Sequence, residues 1–379
     1  STGACMAVMV LFWLSQPDFL MAGLPYGGIL FYLWVGMFGV FVIAQFWAFA
    51  ADLFTDDRGR RLMPVIAIGA TLGAVVGSWV AKQLVSSGAL SSEYLLLATL
   101  VPLSVSIWLT RAAHAEYPPT SPDPAPTKPA VSKQGTALVG SEEPDLQRDS
   151  TSSGGALKLI LRTKILLMMA VITLLTNWVN TNGENLLFGV IQEAVEVQVA
   201  EEGIIDEAEV KRFVRDRTTA FYSNFFFWVN ILALFLQAVV VSRMLKYGGF
   251  ALIYLALPVI ALVSYSIMAL VPILMVIKVM KIAENSTDYS VSNTARHVFW
   301  LPFDASTTYK GKPAVDSMFV RMGDGLAALT VLVGVQMLDL SLDAYLILNV
   351  ILVVLWLGLA IWLVKAHSAL RESASLARS

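Results

Sequence analysis

Six polar residues recur along one otherwise apolar stretch of this 379-residue chain: Lys278, Lys281, Asn285, Asp288, Ser292 and Arg296. Their spacing is three, four, three, four and four residues. At about 100° per residue they share one narrow arc of a helix running from about Pro272 to Trp300. A lysine facing lipid at mid-bilayer costs about 2.5–3.5 kcal/mol even on the gentlest scale, which drives such residues toward a bundle interior or an aqueous cavity. A stripe of buried charge is a path for a charged solute. The competing reading is a helix tail already outside the bilayer, with Lys281–Glu284 or Glu284–Asp288 paired on its own surface.

A second polar face carries Thr173, Asn177, Asn180 and Glu184, spaced four, three and four, with Thr181, Asn182 and Gly183 beside Glu184. An acidic residue in an apolar helix handles substrate or a proton, or forms a structural ion pair with another helix. Lys278 and Lys281 are its natural partners. Ser223, Asn230 and Gln237 stand seven apart, a pattern expected to hydrogen-bond between helices rather than to a ligand. Gly69, Gly73 and Gly77, with Ala81, form a small-residue ridge that lets a neighbouring backbone come close. Gln45 and Asp52 also lie seven apart, with Asp52 expected at the cytoplasmic end of its span. Lys310-Gly311-Lys312, within Tyr309 to Asp316, presents two ammonium groups on a flexible backbone, suited to a di- or triphosphate. Positive-inside anchoring explains the same lysines.

The elements that must position these residues are membrane spans. Hydrophobic residues make up 57% of the chain and charged residues 14%, little more than half the charge of a typical soluble domain; mean hydropathy is +0.69. A net charge of −2 implies no nucleic-acid partner. One cysteine, Cys5, excludes an internal disulfide, and His114, His297 and His367 show no metal-ligand spacing. No phosphate-binding G-x-x-x-x-G-K-[ST] loop is present. The reading is a non-enzyme without a cofactor.

Apolar runs able to cross about 30 Å of hydrocarbon fall at roughly 28–52, 64–86, 93–110, 164–191, 218–242, 249–270, 272–296, 316–340 and 343–365, after a shorter run at 3–15. Lys and Arg concentrate in alternate connections, which puts both termini in the cytoplasm by the positive-inside rule. The exception is an external segment, 192–217, holding Lys211, Arg212, Arg215 and Arg217 among eight acidic residues; its periodicity predicts an amphipathic helix that caps the domain. Residues 113–162 include a Pro/Ser/Thr-rich stretch expected to be a disordered cytoplasmic linker. It separates an N-terminal part, 1–112, from a C-terminal half, 163–367, followed by a cytoplasmic tail, 368–379. Four spans before the linker and six after it match a six-plus-six transporter lacking its first two helices. The chain begins at Ser1 without a basic n-region, so it is expected to be N-terminally truncated rather than led by a signal peptide.

The run Lys281-Ile282-Ala283-Glu284-Asn285-Ser286-Thr287-Asp288-Tyr289-Ser290, then Asn293-Thr294-Ala295-Arg296, and Tyr309-Lys310-Gly311-Lys312 to Asp316, resembles the ATP/ADP translocase-type nucleotide transporters of bacteria and plastids, a branch of the major facilitator superfamily. Phe46-Trp47-Ala48-Phe49-Ala50 followed by Arg60-Arg61 is similar to the family's fourth helix and following loop. Asp57-Arg58-Gly59-Arg60-Arg61 resembles the superfamily's D-R-x-G-R-R loop. The resemblance covers most of the chain. It implies twelve helices, termini in the cytoplasm and exchange of adenine nucleotides across a bacterial inner membrane. One departure is local: the family's nucleotide carriers follow the acidic residue of the seventh helix with Trp-Lys, whereas Glu184 is followed by Asn185 and Leu186.

The expectation is therefore an all-α facilitator-type bundle, about ten helices of twelve, carrying an anionic, phosphate-bearing solute such as a nucleotide by alternating access. Lys278, Lys281 and Arg296 would offset the anion's charge, and Asn177, Asn180 and Asn285 would hydrogen-bond it. Glu184 and Asp288 would orient the cations or bind a coupling proton, with Lys310 and Lys312 attracting substrate at the cytoplasmic mouth. Two rivals stand beside it: a proton-coupled transporter of another small molecule, and a non-transporting membrane scaffold or sensor whose charges form one static network. Partners are the solute and the lipid bilayer; oligomeric state is not legible.

Overall fold

The computed structural model describes residues 2–14, scattered positions between 30 and 46, 69, 72–85, 87, 94–116, 153–303, 305–338 and 340–376. Asp52, the 57–61 loop, most of 46–50 and the Pro-rich stretch after 116 lie outside the described residues. Every described element is helical, with no strand among the described residues. Two compact units divide between Glu142 and Glu143.

The first unit contains helix α1 (Thr2–Leu14), helix α2 (Leu72–Val85) and helix α3 (Leu100–Glu116). The Gly69/Gly73/Gly77 ridge was expected to meet a close neighbour. Among the described residues nothing comes within 4 Å of where a Cβ would stand at any of the three. Gly73 and Gly77 instead line an apolar groove of about 1100 Å³ between α2 and α3, with Val76, Val80, Val101 and Val105.

The second unit holds the polar faces. A short amphipathic helix, α4 (Ser153–Arg162), leads into α5 (Lys164–Glu202), α6 (Glu207–Phe235), α7 (Val241–Leu270), α8 (Leu274–Thr287), α9 (Asn293–Phe299), α10 (Ala305–Ala314), α11 (Val320–Val331) and α12 (Leu342–Leu376). Among the described residues, five helical stretches are long and apolar enough to cross a membrane, four of them in this unit. One stretch, Glu207–Leu270, is two arms joined at Gly249, whose φ of 59° and ψ of −152° break the helix. That backbone region suits glycine because a Cβ would clash there.

At 39 residues, α5 is about 58 Å long, well beyond the roughly 30 Å hydrocarbon layer. It ends at Gly203, which adopts a left-handed conformation (φ 67°), while the Ile204 N–H closes on the Val199 carbonyl at 3.3 Å. Asp206 then caps α6, accepting from the Glu209 N–H at 3.0 Å. The expected external helix at 192–217 is therefore the projecting ends of α5 and α6, a hairpin rather than a separate element. Continuing a helix satisfies backbone groups that a new loop would leave bare. Arg217–Glu202 at 3.3 Å and Gln192–Thr218 at 3.3 Å tie its two arms. The Lys211 ammonium, hydrogen-bonded to Glu207, holds that exposed carboxyl below the usual carboxylate range.

Helix α5 is the hub: it packs on α6, α8, α11 and α12. Its approach to α11 depends on Gly323, where a Cβ would stand 2.5 Å from the Leu174 carbonyl oxygen and 3.0 Å from the Trp178 nitrogen. At the other end of the unit, Lys164 lies over the Trp362 ring at 5.2 Å, a pairing suited to a membrane–water boundary.

Candidate functional site

The polar residues of α5 point three ways. Trp178 donates to Thr330 Oγ1 at 2.8 Å and Thr181 to Asp324 Oδ1 at 2.9 Å, both on α11. Asn182 donates to Asn349 Oδ1 of α12 at 3.1 Å. Asn180 and Glu184 face α8, where the charged stripe begins.

Lys281 is the centre of that meeting and is 0% exposed. Its Nζ lies 2.9 Å from Glu284 Oε2, 3.2 Å from Asn180 Oδ1 and 3.6 Å from Glu184 Oε1. Two oxygens accept ammonium protons at hydrogen-bond distance and the third adds its charge as an ion pair, the compensation that a fully desolvated lysine requires. Asn285 donates to Glu184 Oε1 at 2.7 Å. Tyr265 of α7 completes the shell, with its hydroxyl 3.1 Å from the Val179 carbonyl and 3.5 Å from Glu284 Oε1. The tyrosine fits because residue 183 is glycine: a Cβ there would stand 2.0 Å from Tyr265 Oη and 2.8 Å from Lys281 Nζ. Glu184 keeps 32% of its side chain exposed, so the network is dry at Lys281 and Glu284 and open at one edge.

The rest of the stripe spreads along the helix axis. Lys278 donates to Asn224 Oδ1 at 3.0 Å and lies over Phe221 at 4.9 Å. Further along, the stripe passes through a π-helical turn, Asp288–Ser292. The turn rotates the residues after it relative to an α-helical projection, and such turns concentrate at functional sites. Past this turn, Arg296 reaches back to Asp288 at 3.6 Å. Arg296 and Ser292 also line a cavity of about 20 Å³ with Thr173, Thr176 and Tyr254, enough for about one water.

Asn180, Glu184, Lys281 and Asn285 are therefore one cluster, and Asp288 with Arg296 is a second pair. Asn177 does not join them. Its amide donates to the Thr173 carbonyl of its own helix at 2.8 Å. Lys310 and Lys312 sit elsewhere, on α10. Lys310 is exposed, while Lys312 lies 3.3 Å from Asp316 and 3.2 Å from His297 Nδ1. A lysine can only donate, so His297 meets it as the neutral Nε2–H tautomer. Of the heptad residues, Gln237 reaches Thr294 across the bundle at 3.4 Å, whereas Ser223 bonds the Thr219 carbonyl of its own helix.

Sequence reasoning placed Glu284 only on a paired surface and overlooked Tyr265. The signal for Glu284 was its i,i+3 spacing from Lys281, the reach of a helix neighbour. Nothing marked Tyr265, which looks like any aromatic in an apolar run. No family model, curated protein or solved structure matches the chain.

Proposed function

We propose that this chain is a facilitator-type secondary transporter, with about ten spans of a twelve-helix plan, that carries an anionic, phosphate-bearing solute such as a nucleotide by alternating access. The observation that carries the reading is the cluster of Lys281, Glu184 and Glu284 buried among α5, α7 and α8, with Lys278 and the Asp288–Arg296 pair along the same stripe. Apolar helices retain such groups at high cost, and Glu184 opens the cluster at one edge. Cations on the stripe would meet the anion; Lys310 would meet it at the cytoplasmic mouth. The resemblance to nucleotide carriers supports the same substrate class. One observation favours the scaffold reading: Lys281 finds its hydrogen-bond acceptors and its counter-ions within the protein, as in a static network.

Counterflow in proteoliposomes of the full chain, with labelled ADP, ATP and inorganic phosphate, is expected to exchange at least one of the three. Absence of all three exchanges would overturn the substrate class. Orientation is tested separately in a Cys5→Ser background. A cysteine replacing Ser141 should react with an impermeant thiol reagent only from the cytoplasmic side, and one replacing Glu202 only from outside. The reverse pattern would invert the topology.

A further inference from the structure

Two carboxyl groups share one ammonium in this site. The Tyr265 hydroxyl has a single proton and two oxygens beside it, the Val179 carbonyl at 3.1 Å and Glu284 Oε1 at 3.5 Å. Donated to the carbonyl, that proton leaves the tyrosine oxygen free to accept one from a Glu284 carboxyl. The charge balance agrees. Lys281 with Glu184 and Glu284 both ionised is a net negative cluster whose inner part is dry, and a buried unpaired charge is strongly disfavoured. Glu284 is 2% exposed and Glu184 32%, so the proton belongs on the residue with less water. Among the other groups near the cluster, Asp288 is on the next turn and paired with Arg296, Lys278 donates to Asn224, and Tyr222 of α6 and Tyr289 are uncharged.

We infer that Glu284 binds a proton in this conformation and that its release is tied to separation of α5 from α8. Lys281 and Glu284 sit three residues apart on one helix and move together; Glu184 sits on another. When α8 moves away from α5, Lys281 loses Glu184 as its counter-ion. Glu284 then ionises, Glu–COOH giving Glu–COO⁻ and a proton to water, and takes Glu184's place. The step balances without another reactant. Resting on the transport reading, it names the coupling ion as a proton.

Infrared difference spectroscopy of the full chain in lipid, in H₂O and D₂O, reads the carbonyl band of a protonated carboxylic acid directly. Wild type should show one buried acid that Glu284→Gln lacks. Glu184→Gln, which removes the counter-ion as helix separation would, should also abolish the band, because Glu284 then pairs with Lys281. Adding Lys281→Met to Glu184→Gln should restore it, because Glu284 is then buried without a counter-ion. In the wild-type background Glu284→Asp should shift the band and Glu184→Asp should not, which assigns the acid to 284 even if Glu284→Gln does not fold. No acid band in wild type, a band unchanged by substitution at 284 or retained in Glu184→Gln, or no restoration in the double variant would overturn the inference. None of these readouts requires a solute to move, so failed phosphate-anion exchange and a failed proton assignment are told apart.

Discussion

Lys281→Met should abolish transport and cost about 3 kcal/mol of stability, the lower end of the range for removing one partner from a buried ion pair. The lower end applies because one orphaned carboxylate, Glu184, is 32% exposed and regains some hydration. Methionine fills a similar length of chain, so the loss reports charge and hydrogen bonding rather than a cavity. Glu284 Oε2 and Asn180 Oδ1 lose their donor at once, and Glu184 loses its counter-ion while keeping the bond from Asn285. Glu184→Gln added to Lys281→Met removes the stranded negative charge and keeps an acceptor for Asn285. That double variant should recover most of the lost stability, read as the detergent unfolding midpoint, while transport stays absent. Recovery of both would make the network structural and favour the scaffold. Recovery of neither would mean that Glu284 is ionised as well and still unpaired.

The cross-helix meeting of Lys281 with Glu184 was legible because both faces obey helical periodicity and polar groups in hydrocarbon must find one another. Which helix each group faces was not. Periodicity places Asn177, Asn180 and Glu184 on one stripe, yet Asn177 turns to the Thr173 carbonyl while Thr181 and Asn182 bond two other helices. A hub helix has neighbours all round, so its polar residues need not share a destination. The π turn at Asp288–Ser292 was hidden for a related reason: an angle per residue assumed constant cannot show where it changes. The external segment was legible as polar and helical but not as a continuation of two spans, because charge marks the end of the hydrocarbon and not the end of a helix. Gly249 left a trace only as an ordinary glycine near basic residues. Its positive φ, which separates two arms of one helical stretch, belongs to the backbone and has no sequence pattern of its own.

Gly183→Ala should disrupt the site almost as severely as loss of Lys281, although it removes no functional group. The added Cβ would stand 2.0 Å from Tyr265 Oη and 2.8 Å from Lys281 Nζ, far inside any van der Waals contact. Lys281 has a flexible stem and can yield. Tyr265 is fully buried, its hydroxyl sits at the end of a rigid ring, and moving it breaks the bond to Val179. Overpacking of this kind costs about 1–3 kcal/mol, and a buried tyrosine hydroxyl moved off its acceptor adds about 1–3 kcal/mol. Helix propensity acts in the opposite sense, since alanine is favoured over glycine by about 1 kcal/mol in a helix interior, so a net loss of stability would isolate the steric effect. Gly189→Ala, on the same helix with nothing within 4 Å, should show only that propensity gain. Tyr265→Phe in the Gly183→Ala background removes the clashing oxygen and should restore much of the unfolding midpoint. It should not restore proton-dependent behaviour, because the oxygen facing Glu284 Oε1 is gone. A Gly183→Ala protein as stable and active as wild type would show that α5 and α7 do not approach each other as closely as the cluster requires.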